Sequence, residues 1–282
     1  MENELPSPLF IFELANNHMG DIAHGIQIVR EFGEVKREFP GFNFAIKLQY
    51  RDLPTFIHVD KRGKEDVKYV KRFEETALTS EEFDQLVGEI RAQKFLAMAT
   101  PFDESSVGRI VEQDLDVIKV ASCSFTDWPL LEEIAKTAKP VIASTAGASI
   151  TDIDRVVSFL KNREKQFAIL HCVGQYPTPN ADLEIGQIEF LRNRYSDVTV
   201  GFSTHEDPSN TGAIKLAIAK GASVFEKHIG VANENVSLNA YSINPSQARS
   251  WLQSAAEAFE MCGQRVGRAQ PKADEVSSLR AL

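Results

Sequence analysis

Short apolar runs and amphipathic stretches alternate eight times along this chain, and few folds accommodate that pattern. The apolar runs fall at 10–15, 44–48, 95–99, 117–121, 141–144, 168–172, 198–202 and 224–228, each followed by polar or glycine-bearing residues. Helical spacing follows each run, over 24–39, 81–93, 105–113, 128–137, 153–161, 185–194, 211–220 and 247–262. Phe83, Leu86, Val87 and Ile90 show the 3.6-residue period that marks one buried helix face. Capping residues stand before several of these stretches, at Thr79, at Thr151-Asp152 and at Asn244-Pro245. Eight strand–helix units in this length predict an α/β chain folded as a (β/α)8 TIM barrel, a single domain over 1–262. Residues 263–282 are expected to be a tail, too short for a domain. An open doubly wound sheet is the alternative. It would carry a glycine-rich phosphate loop after the first strand, and Glu13-Leu14-Ala15-Asn16-Asn17-His18-Met19-Gly20 is not one.

Composition narrows the function. With 282 residues, 43% of them hydrophobic, the chain can bury a large core. A formal charge of -9 argues against nucleic acid or a membrane surface as a general partner. No apolar run approaches the ~20 residues of a membrane span. The first eight residues are polar and carry no signal-peptide pattern. The three cysteines, Cys123, Cys172 and Cys262, are odd in number and form no CxxC, so a reducing cytoplasm is expected, with Cys123 and Cys172 as core fillers. Trp128 and Trp251 are expected to pack helices.

In a barrel, chemistry gathers at the carboxyl ends of the strands. There the chain offers Glu13, then Lys47 and Gln49, Thr100, Lys119 and Ser122, Ser144, His171 and Tyr176, Ser203 and His205, and Glu226 and His228. Strand alternation puts Glu226 and His228 on one face. His205 and His228 end consecutive units and can converge on one metal ion, leaving positions for carboxylate, water or substrate. The plainer reading has each histidine bonding within its own loop. Lys47 and Lys119 lie in otherwise apolar strands, where a lysine needs a partner. Either could pair with Glu13 or Glu226. Together with the strand-end hydroxyls they could instead make a pocket for a small polyanion, or one could be a Schiff-base nucleophile. Ser144 and Thr145 before Gly147 suit close approach of an oxyanion. The long charged segment 51–78 would cover the barrel mouth, or simply be a solvated loop.

Eight motifs carry a resemblance. They are the Glu13 to Gly20 string, Lys47-Leu48-Gln49, Thr100-Pro101-Phe102-Asp103, Lys119-Val120-Ala121-Ser122, Ser144-Thr145-Ala146-Gly147, Leu170-His171-Cys172 with Tyr176-Pro177-Thr178-Pro179, Gly201-Phe202-Ser203-Thr204-His205, and Glu226-Lys227-His228. In this order the chain resembles the sialic acid (N-acetylneuraminate) synthases, which condense phosphoenolpyruvate with a sugar aldehyde. The resemblance implies a transferase acting on an open-chain aldose or N-acetylated amino sugar. It would release phosphate and yield a 2-keto-3-deoxy sugar acid for glycan biosynthesis. His205 and His228 would hold a divalent ion, manganese or magnesium, with zinc also suited. Lys47, Thr100, Lys119, Ser122, Ser144 and Ser203 would hold phosphoenolpyruvate, and Gln49 and Tyr176 would face the sugar. Glu13, Lys47, Lys119 and Glu226 are the candidate catalytic residues. A homodimer is implied.

Some positions depart from the family. The chain ends at Leu282, about where a carboxyl-terminal antifreeze-like domain would begin, so a barrel without that domain is expected, or one capped by a separate chain. Ser124 stands where the family has a proton-transferring Glu, and Leu238 where it has a sugar-binding Asp. Gly174 replaces Asn or Ser, and Thr204 replaces Asp. The phosphoenolpyruvate and metal positions are kept, and those of the sugar and proton transfer are changed, which points to a different aldehyde. Two other expectations follow from the residues: a lyase using Lys119 or Lys47 as a Schiff base, and a non-catalytic barrel that binds phosphoenolpyruvate or a sugar acid.

Overall fold

The eight apolar runs are strands of one closed parallel barrel in the computed structural model, which describes residues 5–64, 66–263 and 267–282. Residues 1–4 of the polar amino end, residue 65 of the charged segment and residues 264–266 of the expected tail lie outside the described residues. The strands are β1 (Leu9–Glu13), β2 (Asn43–Tyr50), β3 (Leu96–Pro101), β4 (Val117–Val120), β5 (Val141–Ser144), β6 (Phe167–Cys172), β7 (Thr199–Thr204) and β8 (Val224–His228). Each pairs with the next in sequence, and β8 returns to β1 with Glu13 opposite His228. Strands β2 and β3 run two residues past their apolar cores. Gln49 and Tyr50 still pair with Thr100 and Pro101, and Tyr50 packs edge-on against Phe83 at 4.8 Å.

Around the strands lie α1 (Ile22–Arg37), α4 (Ser80–Ala92), α5 (Glu104–Glu112), α6 (Trp128–Lys136), α7 (Ile150–Asn162), α8 (Gly186–Arg194), α9 (Gly212–Ala219) and α10 (Pro245–Cys262). Their starts follow local capping chemistry. Thr79 and Glu82 close a reciprocal box on α4, and Asn244 and Gln247 do so on α10. Helix α7 starts earlier than the spacing suggests, because Ser149 and Asp152 form the box that Thr151 was expected to supply. The 51–78 segment is not a plain loop. It holds α2 (Leu53–Phe56), a 3-10 turn at Val59–Lys61 and α3 (Lys68–Glu75). The tail carries α11 (Ala273–Arg280), which buries no residue. No helix among the described residues is long and apolar enough to cross a membrane.

The core has two parts. Leu9, Ile11, Ala45, Met98, Val117, Ile142, Ala168, Leu170 and Val224 fill the lower lumen. The outward faces of the strands pack against the helices around Phe10, Phe12, Phe225 and Trp251. Lumen packing is tight enough that a Cβ at Gly201 would collide with the Val224 carbonyl and with Leu170. Trp251 is buried, and Trp128 of α6, although partly exposed, packs edge-to-face with Phe159 of α7 at 5.7 Å, so both tryptophans pack helices as expected. Cys172 is buried, but Cys123 is not a core filler. It is exposed, because the chain leaves β4 through a 3-10 turn over Ser122–Ser124 that faces the barrel mouth.

Candidate active site

Above the apolar layer of the lumen, the next inward positions are charged or polar. Alternation along β1 places Leu9, Ile11 and Glu13 inward, and along β8 Val224, Glu226 and His228. Register sets Glu13 beside Lys47, and Ser203 beside Glu226. A cavity of about 210 Å³ opens over this layer, and all twelve site residues expected from the sequence line it: Glu13, Lys47, Gln49, Thr100, Lys119, Ser122, Ser144, Tyr176, Ser203, His205, Glu226 and His228. Phe102, Ala121, Cys123 and Cys172, not anticipated as site residues, complete its wall.

The lysines do find the carboxylates. Lys47 Nζ lies 2.6 Å from Glu13 Oε2 and 3.0 Å from Glu226 Oε1. Lys119 Nζ is 3.8 Å from Glu226 Oε2, and it donates to Ser144 Oγ at 2.7 Å. Ser203 Oγ donates to Glu226 Oε1 at 3.2 Å, and Gln49 Nε2 to Glu13 Oε1 at 2.8 Å. Two ammonium groups thus face two carboxylates. Burial lowers the Lys47 ammonium to about 8, against the attraction of Glu226 and with the repulsion of Lys119. Burial also opposes the charge on Glu226, but Lys119 and Lys47 outweigh it and hold that carboxyl below its usual range. Glu226 therefore stays an anion. The Thr100 hydroxyl is buried with no partner among the described residues, and the Ser122 hydroxyl accepts the Ala146 N–H at 3.1 Å, joining the ends of β4 and β5. Burial pushes the Cys172 thiol up, so it is no thiolate nucleophile.

The two histidines converge, with ring centroids 5.4 Å apart. Burial pushes His205 down to about 4 and His228 well below its ordinary value, so both rings are neutral near pH 7. His205 Nδ1 lies 3.2 Å from the Val173 carbonyl, which can only accept; its proton therefore sits on Nδ1 and its Nε2 keeps a free lone pair. Neutral imidazole with an oriented lone pair is the form that binds a metal. Among the described residues no cluster of three His, Cys, Asp or Glu completes such a site. The pair fits a divalent ion whose other ligands are water and substrate oxygen. Tyr176 lies 4.1 Å from His205, and Tyr241 lies 5.0 Å from His228 and 5.2 Å from Tyr176, so aromatic rings wall one side of the pair. His171 stands apart, its Nε2 2.9 Å from the Leu183 carbonyl.

Residues 43–267 match the NeuB family. The chain belongs to that family. Among solved structures, a spore coat polysaccharide biosynthesis protein E from Chromobacterium violaceum is 52% identical, with a TM-score of 0.94 over 97% of this chain and 81% of that one. An N-acetylneuraminic acid synthetase from Leptospira borgpetersenii, in complex with citrate, is 27% identical, with a TM-score of 0.84 over 98% of this chain and 91% of that one. The N,N'-diacetyllegionaminic acid synthase of Campylobacter jejuni is 28% identical over 78% of this chain and 66% of its own length. The chain thus spans about two thirds of that NeuB relative.

The positions that depart from the motifs fall in different places. Ser124 is buried in the turn after β4, beside Cys123. Leu238 packs close to Gly230, next to the mouth. Thr204 points the other way, into the layer outside the barrel, where it bonds Glu206. Two contributors escaped the sequence reading. Arg51 reaches Gln49 Oε1 at 2.9 Å from just past the end of β2. Tyr241 comes from a loop with no periodic signal.

Proposed function

We propose that this chain is the barrel of a synthase that condenses phosphoenolpyruvate with the aldehyde of an open-chain aldose or N-acetylated amino sugar. The observation that carries this reading is the gathering of two lysines, strand-end hydroxyls and a neutral histidine pair around one small cavity. Residues 1–262 would be the synthase barrel and 263–282 a tail. The named activities of the Leptospira and Campylobacter relatives support a sugar-acid product.

Phosphoenolpyruvate carries a phosphate and a carboxylate, and Lys47, Lys119, Thr100, Ser122, Ser144 and Ser203 are the donors for them. Gln49 and Tyr176 would face the sugar. A divalent ion on His205 and His228 (manganese or magnesium, with zinc also suited) would polarise the aldehyde oxygen. Carbon 3 of phosphoenolpyruvate bonds to the aldehyde carbon, water adds at carbon 2, and phosphate leaves. The proton given up by that water must reach the new alkoxide. Ser124 has no carboxyl to carry it, so Glu13, held against Lys47, takes that role, while Glu226 stays an anion that balances the two lysines. Lys47, with its lowered pKa, also admits a Schiff-base lyase, which borohydride trapping with pyruvate would reveal. Its contacts with two carboxylates favour the ammonium role. We place the protein in the cytoplasm as a homodimer, with a separate capping chain as the alternative.

The test is phosphate release from phosphoenolpyruvate with manganese, against aldoses that include N-acetylmannosamine and phosphorylated pentoses. Release should depend on one aldose and fall by about a thousandfold or more in His205→Ala or His228→Ala, a loss of about 4 kcal/mol. Tight phosphoenolpyruvate binding with no release from any aldose would overturn the synthase in favour of a non-catalytic binding barrel.

A further inference from the structure

Beside the barrel mouth, segment 51–78 roofs a second cavity of about 290 Å³. Gln49 lines both cavities, so they share a wall. Two arginines line the second one, and both are held in an unusual way. The Arg51 guanidinium lies 3.8 Å from the ring centre of Phe102 and 4.1 Å from that of Phe73. Among the described residues its one side-chain hydrogen bond goes to the neutral Gln49 amide oxygen at 2.9 Å. Arg109 lies 4.7 Å from the Phe83 ring centre and 5.2 Å from that of Tyr50. Arg51 Nε and one terminal nitrogen of Arg109 are buried without an acceptor among the described residues. Neither arginine forms an ion pair with a described carboxylate.

Aromatic faces support a guanidinium's charge, yet they leave its in-plane N–H groups unsatisfied. A buried donor with no acceptor costs about 1–3 kcal/mol, more when charged. The cavity offers little compensation of its own. Asp52 is the one acidic residue on its described wall, and Thr55 Oγ1 occupies its Oδ2 at 2.5 Å; Asp84 and Glu112 face both arginines across an adjoining cavity, without forming an ion pair with either among the described residues. His18, also on the wall, is neutral, since burial pushes it down to about 4. An oxyanion would complete the arrangement, since its oxygens match the planar fork of a guanidinium.

We propose that Arg51 and Arg109 form a second oxyanion site, which takes a phosphate or carboxylate group beside the barrel mouth. Through the shared Gln49 wall, that group could be carried at the far end of the acceptor sugar; a free anion is the other source. Assignment to the acceptor rests on the synthase reading, whereas the anion site itself does not.

Titration calorimetry with inorganic phosphate tests the site directly, with and without saturating phosphoenolpyruvate. Wild-type protein should bind phosphate in both conditions. Arg109→Gln should weaken that binding about tenfold or more, and Arg109→Lys less, because it keeps the charge but loses the fork. Unchanged phosphate binding in Arg109→Gln, with a native unfolding profile, would overturn the site. Kinetics with a phosphorylated and an unphosphorylated form of one aldose separate the two sources. A KM raised by Arg109→Gln for the phosphorylated form alone assigns the group to the acceptor. Equal KM values, with phosphate still bound through Arg109, assign it to a free anion. Phosphate bound through Arg109 with no turnover of any aldose would count against the synthase and leave the anion site standing.

Discussion

Glu226 and Lys227 are neighbours on β8, and both are buried, but they belong to different kinds of ion pair. Glu226 faces the lumen, where it meets Lys47, Lys119 and Ser203 beneath an open cavity. Lys227 faces outward and meets Glu206 at 2.8 Å, with both side chains fully buried. The outer pair is sealed from solvent. Thr204 and Lys227 are register partners, and Glu206 takes a contact from each, so the pair ties the end of β7 to the end of β8. His205 lies between Thr204 and Glu206, and His228 follows Lys227. The inner cluster keeps unused capacity, a Thr100 hydroxyl without a partner among the described residues and lysines shared among several acceptors, next to space that a ligand can enter. Burial alone does not mark a functional charge. What marks it is burial beside a void.

The largest expected effect comes from opening the outer pair. Lys227→Met leaves the Glu206 carboxylate in a dry site with no cation and only the Thr204 hydroxyl, which should cost about 3–5 kcal/mol in urea unfolding. Adding Glu206→Leu should recover most of that loss, because two apolar groups replace a pair that paid heavily for desolvation. If Lys227→Met unfolds at the wild-type midpoint, the outer pair is not what fixes these strand ends.

Much of this contrast was legible in the sequence. A lysine or glutamate inside an apolar strand must be satisfied, and alternation tells which face it takes, so Lys47, Lys119, Glu226 and His228 were placed from their positions alone. The barrel followed from eight repeats of one period change. What could not be read was partner choice. Lys47 touches both Glu13 and Glu226, a result of register between strands far apart in the chain. Segment 51–78 hid its helices because its charges mask their period; α3 buries Val70 alone. Cys123 looked like core because a free cysteine usually packs as a small hydrophobe, but a turn at the strand end faces it to the barrel mouth. Thr204 looked like a change in the sugar site, yet it faces outward, where Glu206 supplies the carboxylate beside Lys227.

A middle-sized effect should appear in acid, at the polar end of the barrel. His18 is buried, which pushes its pKa down to about 4, and its Nδ1 accepts the Gly20 N–H at 3.1 Å. In the unfolded chain it would protonate near its ordinary 6.5. The unfolded state therefore binds the extra proton first, so stability falls as pH drops from about 6.5 to about 4 and is unaffected by this group above that window. The loss from His18 is at most about 3 kcal/mol. His18→Asn can still accept the Gly20 N–H without titrating, and should flatten part of that slope in unfolding curves taken across the window. An unchanged slope would remove His18 as a source of acid sensitivity.

The smallest effect isolates what burial contributes. Arg163 pairs with Glu132 at 2.7 Å, close to the distance of the Lys227–Glu206 contact, but each side chain is 45% exposed. Glu132→Gln removes the charge while keeping an oxygen for the guanidinium. Water already solvates both partners, and salt screens their attraction, so the change should stay within about 0.5 kcal/mol and shrink further in high salt. Lys227→Met should keep its full cost at any ionic strength, since no solvent reaches that pair. Unfolding both variants at low and high salt sets the two contacts side by side. Equal salt sensitivity would mean that water enters the outer layer at the end of β8, and the contrast between a closed pair and an open cluster would fail there.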